Sequence, residues 1–263
     1  MKRVLLLGVA FAALLAGSAG AAGPSPGIAF GSPGVVSHDG KVRYVAMRAG
    51  IRTLVEAIST RTGMVRSRYL NGFYGLPMVA YDGSMGGLSR NGKRLIVYSP
   101  GERRTRFAVL DPRTLKVRSR IALGGNFGFD ALSPDGSVMY LIQVKNGVNY
   151  DVRALNLNTA SLYPGSIVDK REPDEKMTGI PMTRVGSEDA SWAYTLYSKQ
   201  NGGAFVHALH TTAREAFCID VPHIVSADEL GKVRMRLRGG SLELRLRGKT
   251  LASIDRRTFE VKR

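Results

Sequence analysis

The chain is short of the residues that usually carry chemistry. It has one cysteine, Cys218, among 263 residues. No internal disulfide can form, and the apolar neighbours in Ala216-Phe217-Cys218-Ile219 indicate a buried, inert thiol. A chain of this length buries enough surface to need neither a disulfide nor a metal for its core. The histidines are His38, His207, His210 and His223. His207 and His210, three apart at a strand end, are expected on opposite faces, so no zinc site is expected. There is no Gly-x-Ser-x-Gly elbow; the nearest string, Asp82-Gly83-Ser84-Met85-Gly86, lacks the first glycine. A phosphate-binding Walker loop and a dinucleotide fingerprint are missing too, so no motif implies a cofactor. The single tryptophan, Trp192, reads as a core residue of its strand rather than a ligand platform.

Acidic residues are also scarce, at 21 against 38 lysines and arginines, for a formal net charge of +17. Such a surplus draws an exported protein to anionic surfaces such as cell-wall polymers, acidic lipid headgroups or nucleic acid. The plainer alternative is arginine spread generally over a solvated surface. Long apolar runs are confined to the beginning. Lys2-Arg3, the apolar run Val4 to Leu15 and the small-residue site Ala19-Gly20-Ala21 read as a signal peptide over 1–21, with the mature protein starting near Ala22. No later stretch approaches the ~18 apolar residues of a membrane span. In Leu15-Ala16-Gly17-Ser18 a serine stands where a lipoprotein box has its acylated cysteine, so no lipid anchor is expected there. The expected location is extracellular or at the cell wall.

What the sequence does have is a repeat. Leu132-Ser133-Pro134-Asp135-Gly136 leads into Val138-Met139-Tyr140-Leu141-Ile142, a preset turn followed by a strand-forming run. Related turns stand at Ser37-His38-Asp39-Gly40, Ser89-Arg90-Asn91-Gly92 and Ser187-Glu188-Asp189-Ala190, with the serines 52, 44 and 54 residues apart. A second phrase, an apolar strand ending in a polar residue and usually a threonine three further on, marks Ser59, Asp111, Asn156, His210 and Asp255. These markers are 52, 45, 54 and 45 apart, and each turn serine precedes its marker by 22 or 23 residues.

Two landmarks in one phase at this period predict an all-β chain, a β-propeller of about five four-stranded antiparallel blades, either closing on themselves or forming part of a larger ring. Residues 22–36, rich in proline and glycine, form an extended lead-in. The blades are expected at about 27–71, 76–123, 124–169, 178–221 and 222–263, stacked as one cooperative domain. The fifth is worn, with Arg238-Gly239-Gly240 in place of the serine turn. Strand alternation puts Lys232, Arg234, Arg236 and Arg238 on one face and Val233, Met235 and Leu237 on the other, giving a cationic strip. Glu243, Arg245 and Arg247 fall on the polar face of the next strand. The alternative is a charged blade edge that deters aggregation. The acidic window 169–176 carries four carboxylates with interleaved bases. It lacks the spacing of a calcium loop and reads as a solvated connector.

Propellers place function in the central funnel. The innermost strands are expected to carry Tyr81 to Gly87, Asn126 to Asp130 and Met182 to Arg184, so that Asp82, Asp130 and Arg184 converge near the axis. There they form a ligand site or neutralise one another in a water-filled channel. The turn phrase Leu-Ser-Pro-Asp-Gly and the phrase Leu-x-Asp-x-x-Thr-x-x-Val resemble the YVTN/lactonase-like group of bacterial β-propellers. Over roughly 70–222, strings such as Leu76-Pro77-Met78-Val79-Ala80-Tyr81-Asp82-Gly83 and Phe205-Val206-His207-Ala208-Leu209 resemble a set of exported proteins of high-GC Gram-positive bacteria. The resemblance implies a propeller that is either a binding scaffold or a hydrolase of small lactones and esters. In the scaffold reading, a protein or an anionic cell-envelope component is the partner. In the hydrolase reading, Asp82 or Asp130 is the general base and Arg184 steadies developing negative charge. Nucleic acid is disfavoured as a partner, because the 232–247 strip has no aromatics for stacking.

Overall fold

A computed structural model describes residues 23–200, 202–221 and 227–263, so the signal segment 1–21 and His223 lie outside the described residues. Both repeated phrases are explained by their hydrogen bonds. In each serine turn the hydroxyl donates to the side-chain oxygen two residues on: Ser37 to Asp39, Ser89 to Asn91, Ser133 to Asp135 and Ser187 to Asp189, at 2.6–2.8 Å. The same hydroxyl accepts the backbone N–H five residues on, at Val42, Arg94, Val138 and Trp192, where the next strand begins. One serine thus closes the turn and starts the strand, as expected of local side-chain to backbone bonding. The serine hydroxyl is also the main reason the Asp189 carboxyl is held down to about 2 and that of Asp135 below its usual range.

The fourth turn residue takes a left-handed conformation at Gly40, Gly92 and Gly136, and at Ala190, with φ of 58°. A Cβ in that conformation costs about 1–2 kcal/mol. Ala190→Gly is therefore expected to leave stability unchanged or raise it by up to about 1 kcal/mol, since glycine also gives back unfolded-state entropy. Chemical denaturation checks this, and a loss of more than about 1 kcal/mol would contradict the turn assignment.

The marker residues work as caps. Asp111 Oδ1 accepts the N–H groups of Arg113 and Thr114, Asn156 Oδ1 those of Asn158 and Thr159, His210 Nδ1 those of Thr212 and Ala213, and Asp255 Oδ1 those of Arg257 and Thr258. Four residues after each marker the chain turns left-handed, at Gly63, Leu115, Ala160, Arg214 and Phe259.

These turns join strands within antiparallel sheets, of which the described residues form six, each of four or fewer strands. Strand β1 (Ile28–Ala29) pairs not with its sequence neighbours but with β6 (Leu76–Pro77). The first larger sheet runs β2 (Val35–Val36), β3 (Val42–Ala49), β4 (Arg52–Ser59) and β5 (Val65–Asn71). The second holds β7 (Leu95–Ser99), β8 (Arg104–Leu110) and β9 (Val117–Gly124). The third holds β10 (Phe127–Leu132), β11 (Val138–Asn146), β12 (Asn149–Asn156) and β13 (Ser161–Leu162). The fourth runs β14 (Ile180–Gly186), β15 (Trp192–Ser198), β16 (Ala204–His210) and β17 (Glu215–Val221). After α1 (Ala227–Leu230), the fifth runs β18 (Arg234–Arg238), β19 (Ser241–Leu246), β20 (Lys249–Asp255) and β21 (Val261–Lys262). No helix among the described residues is long and apolar enough to cross a membrane.

Among the five larger sheets, four have four strands and the second has three. Its expected inner strand is reduced to single bridges, Met78 to Met85 and Leu88 to Leu95. The cause is local: Gly87 has a φ of 101°, and a Cβ there would lie 2.7 Å from the carbonyl oxygen of Ile96. A side chain is excluded there, and the inner strand stays irregular.

The core is laid between successive sheets. Val55, Leu70, Leu95 and Leu110 join the first to the second; Ile96, Phe107, Phe127 and Met139 join the second to the third. Leu196, Val206, Val233 and Leu244 join the fourth to the fifth. Each inner sheet is thus apolar on both faces, which is why its strands read as continuous hydrophobic runs. Among the described residues no core cluster is shared by the fifth sheet and the first.

Candidate functional site

Between the third and fourth sheets the apolar core is split in two by a row of polar side chains. Cross-strand register places Arg184, Thr195, His207 and Cys218 opposite one another on β14 to β17. The cluster around Tyr140 and Leu209 lies on one side of this row and that around Tyr150 and Tyr197 on the other. Alternation along a strand allows such a row only if the buried groups find partners.

At the inner end of the row, Arg184 finds Asp130. Asp130 sits in a β-bulge between Phe129 and Ala131, where the extra residue re-aims its side chain. Arg184 Nη1 donates to Asp130 Oδ1 at 2.6 Å and to the Asp130 carbonyl at 2.7 Å. The two side chains are 9% and 4% exposed. Both line a cavity of about 340 Å³ bounded by the second, third and fourth sheets. Further along the row burial pushes the His207 imidazole down to about 4, so it is neutral at physiological pH.

Asp82, expected beside this pair, stands elsewhere. The N–H groups of Tyr81 and Asp82 donate to the carbonyls of Pro181 and Met182, which fastens the loop to the start of β14. Asp82 Oδ1 accepts from Ser84 N–H and Oγ at 2.9 and 2.6 Å, and Oδ2 lies 3.9 Å from Arg234 Nε. Two of the three expected funnel residues meet; the third joins the funnel loop to the cationic strip.

At the outer end of the row, the acidic window folds back on β17. Asp169 Oδ2 accepts the Cys218 N–H at 2.6 Å and Arg171 Nη2 at 3.1 Å, and Oδ1 accepts the Arg171 N–H. Burial works to raise the Asp169 carboxyl, but these donors hold it below its usual range. Glu175 and the Cys218 thiol complete a cluster whose ligand atoms lie within 4.8 Å of one another. Asp169 is already committed to protein donors, and burial drives the thiol far above its ordinary value. The cluster therefore fastens the connector and keeps Cys218 unreactive.

The cationic strip has the expected alternation. Lys232, Arg234, Arg236 and Arg238 are exposed while Val233 and Met235 are buried against the fourth sheet. Register sets Arg234 opposite Arg245, Arg236 opposite Glu243 and Arg238 opposite Ser241. Glu243 is shared, at 3.9 Å from both Arg238 and Arg245. Among the described residues, the side chains of Lys232 and Arg236 have no hydrogen bond or ion pair.

One surface escaped the sequence reading. Along the edge of the first sheet, Arg52 lies over the Tyr69 ring at 4.4 Å and Arg48 over Phe73 at 5.0 Å. Tyr69 and Phe73 are exposed beside Met64 and Val65. Arginine–aromatic pairs do occur, here on a different sheet from the cationic strip.

No family model matches the chain, and no curated protein matches it. Among solved structures, the chain is similar to the dihydro-heme d1 dehydrogenase NirN in complex with DHE, at 15% identity and a TM-score of 0.53, over 89% of this chain and 46% of that one. It is also similar to a chain of the mitotic checkpoint complex, at 13% identity and a TM-score of 0.52, over 99% of this chain and 74% of that one. The β-propeller domain of Cps50 (Swd1) from Myceliophteria thermophila matches at 15% identity with a TM-score of 0.49; the chain covers 63% of its length, under two thirds. The functions named for these structures vary. At such identity the likeness concerns the fold alone.

Proposed function

We propose that the protein is an exported, non-catalytic β-propeller scaffold whose five larger sheets are blades, and that it holds an anionic cell-envelope polymer on the free face of the fifth sheet. The observation that carries this is the row Lys232, Arg234, Arg236 and Arg238, all exposed, with only two carboxylates close by among the described residues, Asp82 at Arg234 and Glu243 at Arg238. A face kept merely soluble is served by mixed charge. This one is mostly of one sign, and among the described residues the side chains of Lys232 and Arg236 make no hydrogen bond or ion pair. Alternate residues on a strand are roughly 6.6 Å apart, so Arg234, Arg236 and Arg238 on β18 offer regularly spaced positive charge over roughly 13 Å, with Lys232 in the turn before the strand, suited to a repeating polyanion.

The hydrolase alternative has less support. Asp130 Oδ1 is held by Arg184 and Asp82 Oδ1 by Ser84. Among the described residues no hydroxyl, thiol or imidazole hydrogen-bonds to Asp130, so no side-chain nucleophile is paired with a base there.

The test is binding of the purified mature protein to anionic cell-wall polymer and to phosphatidylglycerol liposomes over a salt series. Four cations on a linear polyanion predict affinity falling by roughly a hundredfold between about 50 and 200 mM salt, through counterion release. Binding that ignores salt, or no binding at low salt, would contradict the reading.

A further inference from the structure

The hairpin between β3 and β4 ends on a residue that its turn does not call for. Ala49 pairs with Arg52, which leaves Gly50 and Ile51 as a two-residue turn, and Gly50 supplies a positive φ of 61° as such turns require. Turn positions favour glycine, proline, asparagine, aspartate and serine. The second position here holds Ile51, 82% exposed and the most exposed large apolar side chain of the described residues. An aliphatic group held in water at the point of a hairpin gains nothing from the fold.

The side chains around that point form a girdle. Arg48 pairs with Thr53 and Arg52 with Ala49, so strand alternation puts the two arginines on opposite faces of the hairpin. Each lies over an aromatic ring, Arg48 over Phe73 and Arg52 over Tyr69, and these rings are 43% and 53% exposed. Among the described residues neither arginine has an ion pair. Over residues 40–73 the chain carries seven lysines and arginines against one acid, Glu56. That acid stands four residues along β4 from Arg52, roughly 13 Å away. The tip is thus apolar at its point, with aromatic rings and unpaired positive charge around it.

We propose that this hairpin tip docks the protein on an anionic lipid bilayer, with Ile51 entering the headgroup layer. Aromatic rings and arginines are side chains that settle at a membrane–water boundary, with an apolar body turned inward and a polar end kept wet. Opposite charge draws the tip to anionic lipid, and the apolar point then leaves water. A folded partner would need a pocket cut to fit this point; a lipid surface yields to it. A nucleic acid or a cell-wall polymer would engage the arginines but leave Ile51 in water. The tip belongs to the first sheet and the cationic strip to the fifth, so docking on lipid does not depend on polymer binding.

The test uses the mature protein carrying Arg234→Gln, Arg236→Gln and Arg238→Gln, so that the strip neither attracts nor repels a vesicle. Flotation measures its binding to phosphatidylcholine vesicles holding about a third phosphatidylglycerol and to vesicles of phosphatidylcholine alone. The mixed vesicles are expected to bind on the order of tenfold or more tightly. Ile51→Asp is expected to weaken that binding on the order of tenfold or more, the equivalent of leaving one aliphatic side chain in water, with the circular dichroism spectrum unchanged. Ile51→Trp is expected to keep the binding, and the emission of the introduced indole, measured above the background of Trp192, is expected to shift to the blue and to be quenched by brominated lipid. No binding to the mixed vesicles, equal binding to the two kinds, Ile51→Asp binding like its parent, or an introduced indole that stays unquenched on bound protein would each overturn the proposal.

Discussion

Arg184→Ala is expected to destabilise the protein by about 3–5 kcal/mol, the usual cost of removing one partner of a buried ion pair. For a chain of this size that is a fall in melting temperature of roughly 10 °C. The magnitude follows from what is left behind. Asp130 is 4% exposed at its side chain, sits in a bulge and loses the only side-chain donor it has among the described residues when the guanidinium goes. The truncation also opens space between the second, third and fourth sheets, so the cost spreads across the contacts that hold three sheets together. Adding Asp130→Ala to Arg184→Ala is expected to recover part of the loss, because the stranded charge goes with it. Equilibrium denaturation of the two single variants and the double variant gives the coupling. A loss below about 1 kcal/mol for Arg184→Ala would mean that the pair is solvated and that the cavity is not built as described.

The landmarks legible in the sequence were those encoded by local chemistry. The serine and aspartate of each turn, and the polar marker of each second phrase, bond to backbone within five residues, so their spacing alone revealed them. The left-handed position four residues after each marker was not legible. Leu115, Ala160, Arg214 and Phe259 occupy it, and none of them advertises a positive φ as glycine does. His210 was weighed as a metal ligand and serves as a turn cap, using the imidazole where its counterparts use a carboxylate.

Features that depend on how sheets stack were only half visible. Asp130 and Arg184 are expected to converge from their positions in the repeat, and they pair with each other. Asp82 was placed by the same logic, but its loop follows glycine-dictated turns to β14 and carries it toward Arg234. The row Arg184, Thr195, His207 and Cys218 appears only once four strands are set in register, since its members lie between 11 and 12 residues apart in sequence. The cationic strip was fully legible, because strand alternation depends on a single strand.

Reversing Arg234, Arg236 and Arg238 to glutamate is expected to abolish polyanion binding while leaving the fold in place. The three side chains are exposed, and the apolar residues between them that anchor the strand are untouched. The change removes three positive charges and adds three negative ones beside Glu243, so the face turns from attracting a polyanion to repelling it. Arg234 lies 3.9 Å from Asp82 and Arg238 3.9 Å from Glu243; the carboxylates are largely buried but the arginines are exposed and the contacts long, so each pair contributes on the order of 1 kcal/mol. The effect on stability is therefore small beside the effect on binding, on the order of a hundredfold or more at low salt.

The most direct test of the account is to measure binding of wild type and this triple variant to the same anionic cell-wall polymer at about 50 mM salt, with circular dichroism confirming that both are folded. Saturable binding by wild type that is lost in the variant is the predicted result. Equal binding by the two folded proteins would contradict the account, because the exposed face of the fifth sheet would then play no part in holding a partner.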